Sequence, residues 1–454
     1  MEMFRVMSPQ ERTRSGTRLT PAQLQAYWMP FTGNRQFRQD PRIMVEAHGC
    51  FYIDADGRKI FDGLSGLWTC GLGHAHPAIA TAVAAQVAKL DYSPAFQFGH
   101  PLAFELAEAV VQRMPAGLDH VFFASSGSEA VETALKMARA YWRVRGQASR
   151  TRFIGRVKAY HGVNFGGISV GGIAGNRRLF GDGISADHLP HTLLPENAFA
   201  RGVPPHGAEL ADHLLELIAL HDASTIAAVI VEPFSGSAGV IVPPQGYLQR
   251  LREICDQYDI LLIFDEVITG FGRLGRWTGA EHFGVTPDLL TFAKQVTNGV
   301  IPLGGVAVSG AIHDTFMEAG GAPHAVEFPH GHTYSGHPVA CAAGLATLAA
   351  LEQEDALERV RSLTTHFEEC VHRLRGLPHV LDIRNIGLAA GITLAPKQGD
   401  PTLRPFEVAM DCWKQGYYVR FGGDTIQLAP PFVSTPEQID RLIAALAEAL
   451  QRQR

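Results

Sequence analysis

The strongest constraint on the fold is a set of short, almost wholly apolar runs that alternate with helical patterns through the middle of the chain. They are Val121-Phe-Phe-Ala124, Thr225-Ile-Ala-Ala-Val-Ile-Val231, Leu261-Leu-Ile-Phe264, residues 287–293 and Leu303–Val308. Runs of this length without polar alternation read as strands buried on both faces. Ala130, Val131, Ala134, Leu135 and Ala138 make the apolar stripe of a helix that runs through Trp142. A second helix is expected around residues 246–258. Such alternation requires a mostly parallel sheet, so the fold is expected to be α/β.

Two of these runs end on ionisable groups. Asp265 closes Leu-Leu-Ile-Phe-Asp, and Lys294 follows Leu-Leu-Thr-Phe-Ala, 29 positions later. Burying either group is costly unless a partner compensates. An acid and an amine, each delivered by a hydrophobic strand, point to a shared cationic or carbonyl-bearing ligand. Pyridoxal phosphate (PLP) needs such a pair: a lysine for the Schiff base and a carboxylate that keeps the pyridine nitrogen protonated. Two strand-end residues that are polar by coincidence explain the pair equally well, and the residues alone leave both readings open.

Phe122-Phe-Ala-Ser-Ser-Gly-Ser-Glu129 places Ser125, Ser126, Gly127 and Ser128 between a strand and a helix. Free N–H groups and the helix dipole at such a junction favour an anion. Simple capping by serine is the commoner use of that residue and stands beside the anion site. No G-x-x-x-x-G-K-[ST] run and no G-x-G-x-x-G opening a helix is present. Of the seven lysines, only Lys294 follows an apolar strand and precedes a glycine turn, Asn298-Gly299. A Schiff-base amine must be partly desolvated to be neutral near pH 7, which singles out Lys294. Tyr160-His161-Gly162 offers a ring that stacks on a planar cofactor, although such a residue more often packs in a core. His74, His76, His330, His332 and His337 lack a matching Cys or acidic partner in the spacing, so no metal site is expected.

Composition narrows the rest. An apolar fraction of 46% and a charged fraction of 19% are those of a well-buried soluble protein. A net charge of −6 carries no basic footprint for nucleic acid, and no run approaches the ~18 apolar residues of a membrane span. The six cysteines show no C-x-x-C pair, which suits a reducing cytoplasm. Arg5, Arg12, Arg14 and Arg18 lack an apolar segment between them, and Glu2 and Glu11 run against a transit peptide. Residues 1–24 are therefore expected as a flexible tail.

Val45–Asp54 and Arg58–Asp62 flank Ala55-Asp-Gly57 as a hairpin. Helices start at Pro77, with Ile79, Val83, Val87 and Leu90 on one face, and at Pro101. From about residue 337 long helices take over, followed by a strand pair, Tyr417–Phe421 and Thr425–Ala429. Thr435-Pro-Glu-Gln438 reads as a capping box for the last helix. The expected organisation is a large domain over residues 76–335 and a smaller α+β domain assembled from residues 25–75 and 336–454.

Phe264-Asp-Glu-Val-Ile-Thr-Gly-Phe-Gly-Arg273, Pro287-Asp288 and Ala293-Lys294 resemble the signature of the class III (ω-) aminotransferases, PLP enzymes of fold type I. Ser125–Glu129, Tyr160–Gly162, Val231-Glu-Pro233 and His332-Thr-Tyr-Ser-Gly-His-Pro338 match further blocks of that family in order. Trp28–Phe37, Gly66-Leu-Trp68, His100–Leu106 and His221–Pro233 look most like the β-alanine:pyruvate branch. The resemblance runs from about Gln25 to the C-terminus.

It implies a role for each matching residue. Lys294 carries the Schiff base, and Asp265 binds the pyridinium nitrogen. Tyr160 and Val267 sandwich the ring; Ser126, Gly127 and Ser128 hold the phosphate; His161 and Glu232 belong to the same cofactor site. Thr333 reaches the phosphate of a neighbouring subunit, which makes a homodimer or higher homo-oligomer part of the active site. Arg420 clamps the substrate carboxylate, and Trp68, with Tyr160, lines the donor pocket. The implied reaction passes an amino group from an ω-amino acid or primary amine to pyruvate in a ping-pong cycle. GABA, diamines, taurine and aryl-alkyl amines are the alternative donors. A PLP decarboxylase, racemase or aminomutase, or a non-catalytic fold relative, are the alternatives to transamination. One departure stands next to the key lysine: Gln295 occupies a position where many relatives have glycine.

Overall fold

A strand with no polar residue has to be covered on both faces, and the computed structural model, which describes residues 19–319 and 321–453, does this with a seven-stranded sheet. Its strands are β4 (Leu118–Ala124), β5 (Arg152–Arg156), β6 (Ala186–Leu189), β7 (Ile226–Val231), β8 (Leu261–Asp265), β9 (Leu289–Phe292) and β10 (Gly304–Ser309). They lie in the order β4-β10-β9-β8-β7-β5-β6. Only β10 runs against both of its neighbours; the β9-β8-β7-β5-β6 pairings are parallel. Every residue of β7, β8 and β9 is buried, which is why these strands read as continuous apolar runs.

The helix Gly127–Val144 lies on one face of the sheet through the stripe expected for it, with Ala130, Val131, Ala134, Leu135 and Ala138 all buried. Its last turn is pinned by Trp142, whose indole N–H donates to the Ala227 carbonyl of β7 at 2.8 Å. The second expected helix spans Tyr247–Gln257.

The flanking segments depart from the sequence pattern. Residues 45–54 are not one strand: the chain turns at Gly49, with φ 54°, to give β1 (Met44–His48) and β2 (Phe51–Asp54). β2 then pairs with β3 (Lys59–Asp62) across the expected turn, where Asp54 accepts from the N–H groups of Asp56 and Arg58. Tyr417–Phe421 is also not one strand. Tyr417–Tyr418 (β13) pairs in parallel with β3, joining the two ends of the chain in one sheet of order β1-β2-β3-β13. Past buried Val419, Arg420–Gly422 (β14) belongs to a different sheet. That sheet has the order β11-β12-β15-β14 and includes Val380–Ile386 (β11), Ala389–Leu394 (β12) and Thr425–Leu428 (β15). The choice of partner is non-local, and the run of strand-forming residues carries no sign of where one sheet hands over to the other.

The proline-led helices appear as Pro77–Lys89 and Pro101–Val111. On the first, Ile79 is fully buried but Val87 and Leu90 are 52% and 37% exposed, so its apolar stripe is covered only at the start. Of the tail expected over residues 1–24, residues 1–18 lie outside those described, and Thr20 opens a short capped helix, Pro21–Ala26. None of the described helices is long and apolar enough to cross a membrane.

The final helix, Pro436–Gln451, opens with the expected capping box: Gln438 N–H donates to Thr435 Oγ1 at 3.3 Å and Thr435 N–H to Gln438 Oε1 at 2.9 Å. Replacing Thr435 with Ala is expected to cost about 1 kcal/mol. The loss is read as an earlier first transition in urea unfolding, with Thr435→Asn close to wild type.

Candidate active site

The parallel strands bring their carboxyl ends to one edge of the sheet, where α/β proteins place their ligands. Ser126–Ser128 follow β4, Lys294 follows β9, Asp265 ends β8, Glu232 follows β7, and Tyr160 and His161 follow β5. Eight residues from five segments, scattered over 169 residues of chain, are thereby brought to one edge.

Asp265 is 5% exposed and fully engaged. His161 Nδ1 lies 2.8 Å from Oδ2, and since a carboxylate only accepts, the imidazole donates. Thr291 Oγ1 and the Val267 N–H, both at 3.2 Å, donate to Oδ1. Thr291 is the residue opposite Asp265 in the β8–β9 register, so the sheet itself delivers this bond. These three donors satisfy the carboxylate in an apolar setting. His161 keeps one nitrogen, Nε2, buried without a partner among the described residues.

Glu232 is 4% exposed; its Oε1 accepts from the Tyr160 N–H at 3.0 Å and its Oε2 from the Gly236 N–H at 3.2 Å. Burial, reinforced by Asp265, raises its carboxyl above the ordinary range, while His161 opposes the rise. Glu232 thus fixes the backbone that carries Tyr160 and His161. The next acid, Glu266, turns away from this edge and binds the N–H of Ala280 at 2.7 Å, the Gly279 N–H and the Thr269 hydroxyl.

Lys294 sits where β9 gives way to a single 3₁₀ turn, with φ 49° in the left-handed region. A non-glycine residue there costs on the order of 1–3 kcal/mol and persists only when its surroundings over-determine it. Burial is the main influence on the amine and lowers its pKa to about 8; Asp265 and Glu232 resist that shift and Arg420 adds to it. The amine therefore feels both carboxylates and the guanidinium. Tyr160 is surrounded by the same three charges, and burial raises its phenol.

Both readings of the serine loop apply, to different atoms. Ser126 caps the helix, its Oγ accepting from the Glu129 N–H at 3.2 Å, and Glu129 reaches back to the Ser125 N–H at 2.7 Å. The N–H groups of Gly127 and Ser128 lie in the first turn and have no intrahelical partner. Gly127 is required by contact: a Cβ there would stand 3.0 Å from both methyl groups of Val267. Val267 therefore borders both the anion loop and the Asp265 backbone.

Arg420, on β14, has a buried Nε without a partner among the described residues. Its cross-strand neighbour Gln427 likewise keeps an unpartnered Oε1, its amide nitrogen being spent on the Ser237 carbonyl at 2.9 Å. Trp68 is 2% exposed and packs on Phe234, two residues past Glu232, and on the guanidinium of Arg273. Thr333 stands apart: it is exposed and its carbonyl accepts the Tyr92 hydroxyl at 3.0 Å.

Of the five histidines weighed as metal ligands, three bond other side chains: His74 bonds Asp62, His76 bonds Glu354 and His330 bonds Thr133. Among the described residues, His366, Cys370 and Asp440 do gather three ligand atoms. Arg373 already supplies the cation there, donating to Cys370 Sγ at 2.5 Å and Asp440 Oδ1 at 2.7 Å.

Thr291, Gln427 and the Glu232–Tyr160 backbone bond had no signature in the sequence, because each arises from strand register or from contacts across more than 70 residues. What the edge offers is a donor pair for an anion, a buried carboxylate for a ring cation, and an easily neutralised amine for a carbonyl. That set fits PLP, and the chain belongs to the PLP-dependent class III aminotransferases, whose family pattern it matches over residues 32–450. It is 60% identical to the β-alanine–pyruvate aminotransferase of Pseudomonas aeruginosa over 94% of this chain and 96% of that one. It is 58% identical to the ω-amino acid–pyruvate aminotransferase of Pseudomonas putida, again over 94% and 96%. Among solved structures, a PLP-bound amine transaminase from an uncultivated Pseudomonas species superposes with a TM-score of 0.86 at 37% identity, covering 94% of this chain and 98% of that one.

A lowered amine pKa has a direct pH signature. Below about pH 8 most Lys294 is protonated and unable to attack a carbonyl, and above it the neutral form dominates. Uptake of PLP by the apoenzyme, followed by absorbance, is expected to accelerate about tenfold per unit up to that pH and then level. An ordinary lysine would keep accelerating to about pH 10.4.

Proposed function

We propose that this enzyme transfers the amino group of an ω-amino acid of the β-alanine type to pyruvate, with Lys294 and Asp265 as catalytic residues and Arg420 as the carboxylate clamp. The observation that carries the reading is the convergence on Lys294 of Asp265, Glu232 and an Arg420 whose Nε is buried without a partner. Arg420 is half-buried with that one nitrogen unpaired, and a substrate carboxylate is a group that a guanidinium can bind bidentately. The names of the P. aeruginosa and P. putida relatives support the choice of donor and acceptor.

Bound PLP supplies the carbonyl that captures the amine and the electron sink that follows. Lys294 would hold the cofactor through its amine and would serve as the base that moves the proton from the donor carbon; its pKa, lowered to about 8, raises the neutral fraction available for that task. Asp265, locked by His161, Thr291 and the Val267 N–H, holds positive charge on the ring nitrogen. Gly127 and Ser128 bind the phosphate through their N–H groups, with Ser126 shaping the loop. Tyr160 and Val267 would confine the ring, while His161 and Glu232 hold the surrounding residues in place. Trp68 and Tyr160 border the donor. Arg420 orients the donor so that its amino end, not its carboxylate, meets the carbonyl.

We further infer a homodimer in which Thr333 serves the second copy's phosphate site. Its exposure beside exposed Tyr334 (59%), Phe96 (54%) and Phe98 (63%) supports this, since such a run of aromatics seeks a cover. A larger unit over residues 76–335 and a smaller one from residues 25–75 and 336–454 is the matching division, supported by the pairing of β13 with β3. Six free, buried cysteines support a cytoplasmic setting.

The test is a donor panel against pyruvate and 2-oxoglutarate. β-Alanine with pyruvate is expected to lead GABA, diamines, taurine and aryl-alkyl amines, and donor alone should convert the cofactor to pyridoxamine phosphate. Lys294→Ala is expected to abolish turnover; a wild-type rate would overturn its role. Arg420→Leu should raise the KM for β-alanine about 10–100-fold, the worth of a lost charged hydrogen-bond pair, and leave a carboxylate-free amine donor unaffected.

A further inference from the structure

Gln295 and Asn298 are both 2% exposed and take no part in the reaction derived above. Three of their four amide atoms are nevertheless directed at one remote segment. Gln295 Oε1 accepts from the Gly71 N–H at 2.7 Å, and Asn298 Oδ1 accepts from the Leu72 N–H at 3.0 Å. Asn298 Nδ2 donates to the Gly73 carbonyl at 2.8 Å, and Gln295 Nε2 reaches Asn298 Oδ1 at 3.4 Å. Three consecutive residues of the segment after Trp68 are thus read by two side chains of the turn that begins at Lys294.

The fit is steric as well as polar. A Cβ at Gly71 would lie 2.6 Å from Gln295 Oε1 and 2.4 Å from the Phe432 ring, and one at Gly299 would lie 2.8 Å from Thr69 Oγ1. On the other side of Trp68, buried Asp62 accepts from the N–H groups of Leu64, at 3.0 Å, and Gly66, and pairs with His74 Nε2 at 2.8 Å. Trp68 hangs between these two anchors, with φ 68°, a conformation its bulky side chain adopts only under constraint.

We propose that Gln295 and Asn298 are positioning residues that set donor specificity by tying the Trp68 segment to the Lys294 turn. The proposal rests on the reading of Trp68 as a wall of the donor pocket. One buried hydrogen bond of this kind shifts an opening equilibrium about three- to tenfold, so loss of the Gln295 amide loosens the segment without unfolding the protein.

Gln295→Met keeps the volume and removes the hydrogen bonds; Asn298→Asp keeps the acceptor and removes the donor. In the apoenzyme, amide exchange across residues 69–73 is expected to rise three- to tenfold in either variant, with the global melting point near wild type. In the PLP-loaded enzyme the KM for β-alanine should rise about tenfold and kcat change less than twofold. In a Trp68→Gly background, Gln295→Met should add little further change in KM, because the tether acts through Trp68. Unchanged exchange and unchanged KM would overturn the proposal, as would a KM effect that multiplies in full with Trp68→Gly. Trp68→Gly alone separates the two readings: an unaltered donor KM overturns Trp68 as a pocket wall, while amide exchange decides the tether independently.

Discussion

A carboxylate and an amine held out of water at the ends of neighbouring strands set the terms for everything around them. Neither Asp265 nor Lys294 is tolerable in an apolar sheet by itself, and each is made so differently. Asp265 is given three hydrogen-bond donors; Lys294 is left with carboxylates at a distance and gives up part of its basicity. That asymmetry separates a hydrogen-bonded carboxylate, suited to a ring cation, from an amine whose pKa falls to about 8. The sheet order places them side by side, β8 next to β9, so the pair needs no loop to assemble it.

The remaining parts of the site are attached to this pair through backbone geometry. Glu232 does not face a substrate group in the described contacts; it holds the Tyr160 N–H, and with it the residue pair that covers Asp265. The serine loop divides its work, with Ser126 satisfying the helix and Gly127 and Ser128 leaving their N–H groups for an anion. Arg420 arrives from the far end of the chain on a strand that has just left the sheet containing β3. Gln295 and Asn298, for their part, tie the Lys294 turn to the Gly71–Gly73 backbone.

Much of the site was legible because burial leaves a mark on the chain. Apolar runs ending in Asp265 and Lys294 announced both residues, and the Ser-Ser-Gly-Ser run at a strand–helix junction announced the anion loop. Arg420 was legible only through resemblance, since nothing local distinguishes it from other arginines. Thr291, Gln427 and the Gly71–Gly73 contacts were not legible at all: a hydrogen bond set by register or by a contact across 224 positions has no local signature. Two expected strands, residues 45–54 and 417–421, broke for the same reason, the partner strand rather than propensity deciding where each one ends.

By itself the sequence determined the α/β class, five of the seven strands of the central sheet, the capping box at Thr435 and the identity of the ionisable pair, because these follow from burial, period and the chemistry of single residues. Only the tertiary structure decided the sheet order, the lone reversed strand β10, the switch between sheets at Val419, and the hydrogen bonds made to Asp265. The physical reason is range. Hydrophobic pattern and capping act over a few residues, whereas pairing, register and the electrostatic environment of a buried group are properties of the surroundings that the folded chain alone brings together.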